Sequence, residues 1–113
     1  MDNQLPTQLL KGSLEGALLA VIGEQERYAY EIHERLGQAG FGDIADGTIY
    51  PLLLKLERTG LIAGTRHPSP SGGPPRKYYQ LLPAGRDSLQ AFEQNWRQLA
   101  LAMARVLGGE AHE

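Results

Sequence analysis

Cysteine is missing from all 113 residues, which excludes a disulfide framework and a thiolate metal site. No apolar run approaches the ~18 residues that would suggest a membrane span. The opening MDNQLPTQLLKG carries an acid where a secretory signal would carry bases. A cytoplasmic protein without membrane contact is therefore the expectation. His33, His67 and His112 share no ligand spacing, so no metal is expected. No Ser/His/Asp arrangement or carboxylate pair stands out, and Gly72-Gly73-Pro74-Pro75 lacks the Lys-Ser/Thr of a phosphate-cradling loop. The sequence points away from an enzyme, and no cofactor is expected.

Acid is scarce in one place only. Between Gly47 and Arg86 the single acid is Glu57, against Lys55, Arg58, Arg66, Arg76, Lys77 and Arg86. That segment is net +5 in a chain whose formal charge is −2. Screening limits electrostatic reach to roughly 8 Å at physiological salt, so local distribution counts for more than the total. A concentrated positive surface suits a polyanion, and charge patterning alone fits a solvated basic face equally well.

Hydrophobic spacing supplies the elements. Leu9, Leu10, Leu14, Ala17, Leu18, Val21 and Ile22 recur at helical intervals, predicting a first helix from Thr7 to Ile22 that Gly23 ends. Glu24 to Arg27 reads as a polar turn. A second helix starts near Tyr28 or Ala29, with Tyr28, Ile32, Leu36 and Ala39 on one face, and stops between Gly37 and Gly42. Asp46 is placed to cap a third helix, Gly47 to Arg58, with Ile49, Leu52, Leu53 and Leu56 apolar. Gly60 follows as a helix stop. Leu61–Arg66 and Arg76–Leu81 read as two strands of a hairpin with a Pro/Gly-rich tip. Pro83 opens a last helix that runs to Leu107. The fold class is mainly α with a two-stranded β wing. Residues 1–82 form a winged helix-turn-helix, 83–107 a C-terminal dimerisation helix and 108–113 a tail.

The strings LLKGSLEGALLAVI, YAYEIHERL, GTIYPLLLKLERTGLI, GGPPRKYYQL and PAGR are specific. With them the chain resembles the PadR family of bacterial transcriptional regulators over essentially its full length. Ala29 stands where a glycine is common, and Leu82-Pro83 replaces a usual capping threonine; both suit a helix start. The resemblance implies a homodimeric repressor of the short subgroup, with a single helix as its C-terminal dimerisation element. It implies a palindromic double-stranded DNA operator as partner.

Within that frame Thr48 and Tyr50, near the start of the third helix, can meet phosphate oxygens or base edges. Lys55 is a phosphate contact or a solvated charge, and Tyr50 can alternatively pack on the wing. In the wing, Arg76 and Lys77 follow a stiff Gly-Gly-Pro-Pro tip, with Arg66 facing them across the hairpin. Tyr78 and Tyr79 must point to opposite faces. On the last helix Leu89, Phe92, Trp96, Leu99, Met103 and Val106 keep alternating three- and four-residue steps. That seam predicts pairing with a second copy.

The resemblance also implies a small planar aromatic ligand held at the dimer interface by Trp96, eleven residues after Gly85, with Ser13 and Gly16 flanking the space. The alternative is that Trp96 only packs the interface. Ala100 lies one turn on, so Glu93 is the nearest counter-charge for a cationic ligand. Two other classes stand beside the repressor: a winged helix used for protein–protein assembly, and a ligand-binding protein without DNA readout.

Overall fold

Leucine and isoleucine positions organise the chain around one core. The computed structural model describes residues 5–108. Its helices are α1 (Thr7–Leu10), α2 (Leu14–Glu24), α3 (Ala29–Ala39), α4 (Asp46–Arg58) and α5 (Pro83–Leu107), and its strands β1 (Arg27–Tyr28), β2 (Ile62–His67) and β3 (Arg76–Leu81). Leu18 and Ile22 of α2, Ile32 and Leu36 of α3, Ile49, Leu53 and Leu56 of α4, and Ile62 of β2 are fully buried together. Each such side chain contributes roughly 1.5–3 kcal/mol on removal from water.

Three local expectations change. The first helix is two, because Gly12 adopts the left-handed region at φ +83°. The Ser13 hydroxyl then donates to the Leu10 carbonyl at 3.0 Å, closing the turn. Gly23 lies inside α2 instead of ending it, close against the Leu81 and Leu89 side chains, where a larger residue would crowd them. Ala45, not Asp46, is the cap of α4, and it makes no side-chain capping bond. Asp46 occupies the first helical position, where its charge still complements the helix dipole. Pro51 falls in the second turn of α4 and forgoes the bond to the Gly47 carbonyl.

The wing is also wider than two strands. Residues Arg27 and Tyr28, expected at a polar turn and a helix start, form β1 against β3, giving the antiparallel order β1-β3-β2. A two-residue strand has no periodicity by which to find it. The Tyr28 N–H then donates to Glu31 Oε1 at 3.2 Å, tying the start of α3 to its own first turn. The ends of α2 and α3 are knitted by Glu24, which accepts from Arg35 and Arg27. Those bonds, Arg35's foremost, hold the Glu24 carboxyl below its ordinary pKa.

The hairpin is long and regular, with Ile62 opposite Leu81 and His67 opposite Arg76. Immediately after it the chain enters α5 with Pro83 at its first turn. The Leu82 N–H donates to the Leu61 carbonyl at 3.0 Å. Gly85 is buried over that same carbonyl, so close that a β-carbon would overlap it. Two turns on, the Phe92 ring covers Gly16 of α2 with no room for a methyl group between them. Thus the first half of α5 is docked on the helix-and-hairpin unit, while its second half extends away. It ends at Gly108, φ +82°. Residues 109–113 of the tail, His112 among them, and residues 1–4 lie outside the described residues.

Gly85→Ala should destabilise the fold by about 2 kcal/mol, the scale of overpacking against an immobile neighbour, and lower Tm by about 10 °C. Gly47→Ala, built into open space on a helix, should leave Tm unchanged or raise it slightly. Thermal unfolding followed by circular dichroism compares them, and equal Tm values for the two variants would contradict the docking described.

Candidate nucleic-acid interface

α4 is amphipathic, and its outward side is set by what it buries. With Ile49, Leu53 and Leu56 facing the core, Gly47, Tyr50, Pro51, Leu54 and Arg58 are left on the solvent side. Tyr50 is 51% exposed and Leu54 47% exposed, so each keeps about half of its surface open to solvent. Thr48 is half-buried and lines a cleft with Leu5, Thr7, Leu10, Phe41 and Ala45, beside the solvent face. Lys55 is exposed, and its Nζ lies 2.7 Å from Glu15 Oε2 on α2. Surface pairs of this kind are worth about 0–1 kcal/mol, so the lysine can exchange that partner for a phosphate. Leu54 and Arg58 are not among the contact residues expected from sequence, where the leucines of this helix count as core or geometry with at most a contact to a thymine methyl. Their signal was present, since positions 47, 50, 51, 54 and 58 share one helical face, but the Leu52-Leu53-Leu54 run masks the period.

Strand alternation divides the wing's cations. Arg66 is registered opposite Lys77, and Gly64 opposite Tyr79, so these four share the face turned toward α4. The Lys77 chain runs across Gly64, filling the space a side chain would need, and its Nζ reaches Glu57 Oε1 of α4 at 2.9 Å. The same ammonium lies 5.5 Å from the Tyr79 ring centroid. Tyr79 is therefore the inward tyrosine. Burial pushes its hydroxyl above the ordinary range, with Lys77 acting the other way.

Arg76 lies on the opposite face, its guanidinium 4.5 Å from the centroid of the Tyr28 ring. Tyr78 is on that face too, edge-on to Tyr28 and to His67 at 5.3 Å in each case. Arg66 therefore faces Lys77 across the hairpin but not Arg76, which is opposite His67. Among the described residues Arg58 and Arg66 carry no ion pair. Of the six cations in the net-positive segment, Lys55 and Lys77 are paired with acids, and Arg76 and Arg86 are as unpaired as these two among the described residues. His33, expected as exposed surface, is instead half-buried, its Nε2 2.9 Å from the Ile44 carbonyl and from Asp43.

The seam on α5 divides at Phe92. Leu89 packs beside the core and Phe92 lies on Gly16, both within the chain. Beyond them Trp96 is 48% exposed, Leu99 51%, Met103 47% and Val106 81%. The Trp96 and Phe92 rings are stacked at 6.2 Å between centroids. Gly16 lies beneath Phe92 and the Ser13 hydroxyl is bonded to Leu10, so the surface offered beside the indole is the phenyl ring.

No described helix is long and apolar enough to cross a membrane, and no group of three potential metal ligands occurs among the described residues.

Comparison with known proteins bears on this arrangement directly. A PadR-like transcriptional regulator of Bacillus cereus has a crystal structure that superposes with a TM-score of 0.82 at 40% identity, over 92% of this chain and 100% of its own. A Streptococcus transcriptional regulator matches at 48% identity with a TM-score of 0.78, over 89% of this chain and 98% of its own. The transcriptional regulator Rv3488 of Mycobacterium tuberculosis is 30% identical over 89 residues, covering 79% of this chain and 78% of its own. These relatives are regulators and not enzymes. The model of the transcriptional regulator PadR-like family matches residues 18–91, from the buried face of α2 through the wing to the docked turn of α5, and the chain belongs to that family.

Proposed function

We propose that the protein is a homodimeric DNA-binding repressor in which α4 and the hairpin of each protomer contact a palindromic operator. One observation carries the reading. The element exposing Tyr50, Leu54 and Arg58 adjoins a hairpin whose Arg66 has no acidic partner among the described residues. Together they lie in a segment of net +5. A helix of this diameter fits the major groove, with the hairpin along the adjoining backbone. Thr48 and Tyr50 serve at the groove, and Lys55, Arg66, Arg76 and Lys77 at phosphates. Arg58 joins them on geometry.

Dimerisation rests on the second half of α5, whose apolar stripe is about half exposed or more among the described residues. Pairing Trp96, Leu99, Met103 and Val106 with a second copy removes that stripe from water. In the finer reading a planar aromatic ligand stacks on Trp96 at this interface and changes the separation of the two DNA-contacting heads. Such a ligand relieves repression only by binding the non-DNA geometry more tightly.

DNA affinity should fall steeply with salt. Arg66→Ala/Arg76→Ala should make the slope of log affinity against log salt shallower by about two, close to one for each phosphate no longer neutralised. Filter binding or fluorescence anisotropy across a salt series measures this. An unchanged slope would favour a protein–protein role for the wing. Because Trp96 is the one tryptophan of the chain, its emission reports the ligand site alone. Planar aromatic compounds should quench it saturably and weaken DNA binding in the same concentration range. Absence of quenching across a panel of such compounds would leave Trp96 as interface packing.

A further inference from the structure

We infer that α4 reads its operator chiefly through the 5-methyl groups of thymines, with Leu54 and Tyr50 as the specificity-determining side chains. The inference rests on the DNA-binding reading above and adds to it what kind of sequence is read.

The outward face of α4 is short of the usual base-reading groups. Bidentate recognition of guanine needs Arg or Lys, and of adenine Asn or Gln, held at the groove floor. From Asp46 to Thr59 there is no Asn or Gln. Of the two cations in that span, Lys55 is drawn back toward Glu15 on α2, and Arg58 stands at the C-terminal end. Glu57, which could accept from cytosine, is held by Lys77 at 2.9 Å. The Thr59 hydroxyl donates to the helix's own Lys55 carbonyl at 2.9 Å.

What remains at the centre of the face is Tyr50 and Leu54, one turn apart and each about half exposed. A leucine held half in water on the outward side of an amphipathic helix leaves apolar surface that only an apolar group can cover. In the major groove the one apolar group on the base edges is the thymine methyl. The cations on the wing and Arg58 supply the complementary charge that brings a duplex onto this face. The phosphates therefore position the helix, and methyl contacts choose the register.

The experiment uses the full chain and the tightest duplex selected from a random pool. The duplex is compared with one carrying deoxyuridine for every thymidine, and with one carrying 7-deazaguanine for every guanine. Deoxyuridine differs by the methyl alone, so affinity should fall about fourfold for each methyl contacted. The guanine analogue should change it little. With Leu54→Ala, an exposed site whose replacement leaves the core intact, the deoxyuridine penalty should shrink about fourfold for each methyl that Leu54 covers, while the salt slope stays as in the unaltered protein. A deoxyuridine penalty near onefold, or one that Leu54→Ala leaves unchanged, overturns the inference. Loss of affinity with 7-deazaguanine in place of deoxyuridine does so as well. If no duplex binds in a salt-dependent way, it is the DNA-binding reading that fails first, and the inference falls with it.

Discussion

The carbonyl of Leu61 is the hinge point of this architecture. It receives the Leu82 N–H and lies under Gly85, so the base of the hairpin and the start of α5 are joined at one backbone group. Phe92 on Gly16 makes a second attachment two turns later. Neither junction tolerates even a methyl group, because each brings backbone or ring directly against backbone. Together they fix the direction in which α5 leaves the domain. The consequence is functional: the half of the helix that these junctions do not use is the half that carries the exposed apolar stripe.

That geometry ties the two proposed surfaces to one another. α2 touches both, through Gly16 under Phe92 and through Glu15 paired with Lys55 of α4. α2 thus lies between the Trp96–Phe92 stack and α4, and its contact with the stack is ring against glycine. The Glu15–Lys55 pair is exposed and weak on its own. The wing is braced in a different way. Lys77 spans Gly64 to reach Glu57, and Arg76 stacks on Tyr28, so one face of the hairpin is tied to α4 and the other to β1.

Much of this is legible from residue spacing. Ile32 and Leu36, Ile49, Leu53 and Leu56, and the two hairpin strands fall where periodicity places them, because burial on one face imposes a strict repeat. What spacing does not show depends on single residues or on tertiary proximity. Gly12 breaks the first helix through a left-handed backbone that leucine spacing on either side does not reveal. β1 has only two residues, too few for a pattern. Arg76 and Lys77 are neighbours in sequence but lie on opposite sides of the sheet, a separation that follows from strand alternation once the strand is accepted. The partners Glu15 and Glu57 are 40 and 20 residues from their lysines. No local rule brings them together. Leu54 is hidden for the opposite reason, since three successive leucines satisfy both faces of the helix at once.

On the proposed reading, one chain supplies one DNA-contacting head and half of a helical interface, so that two heads act in fixed relation. Selection of bound duplexes from a random pool tests this most directly. The prediction is a two-fold symmetric consensus whose half-sites are centred about one helical turn apart, ~34 Å. Enrichment of a single unsymmetric site, or of no site at all, would contradict it.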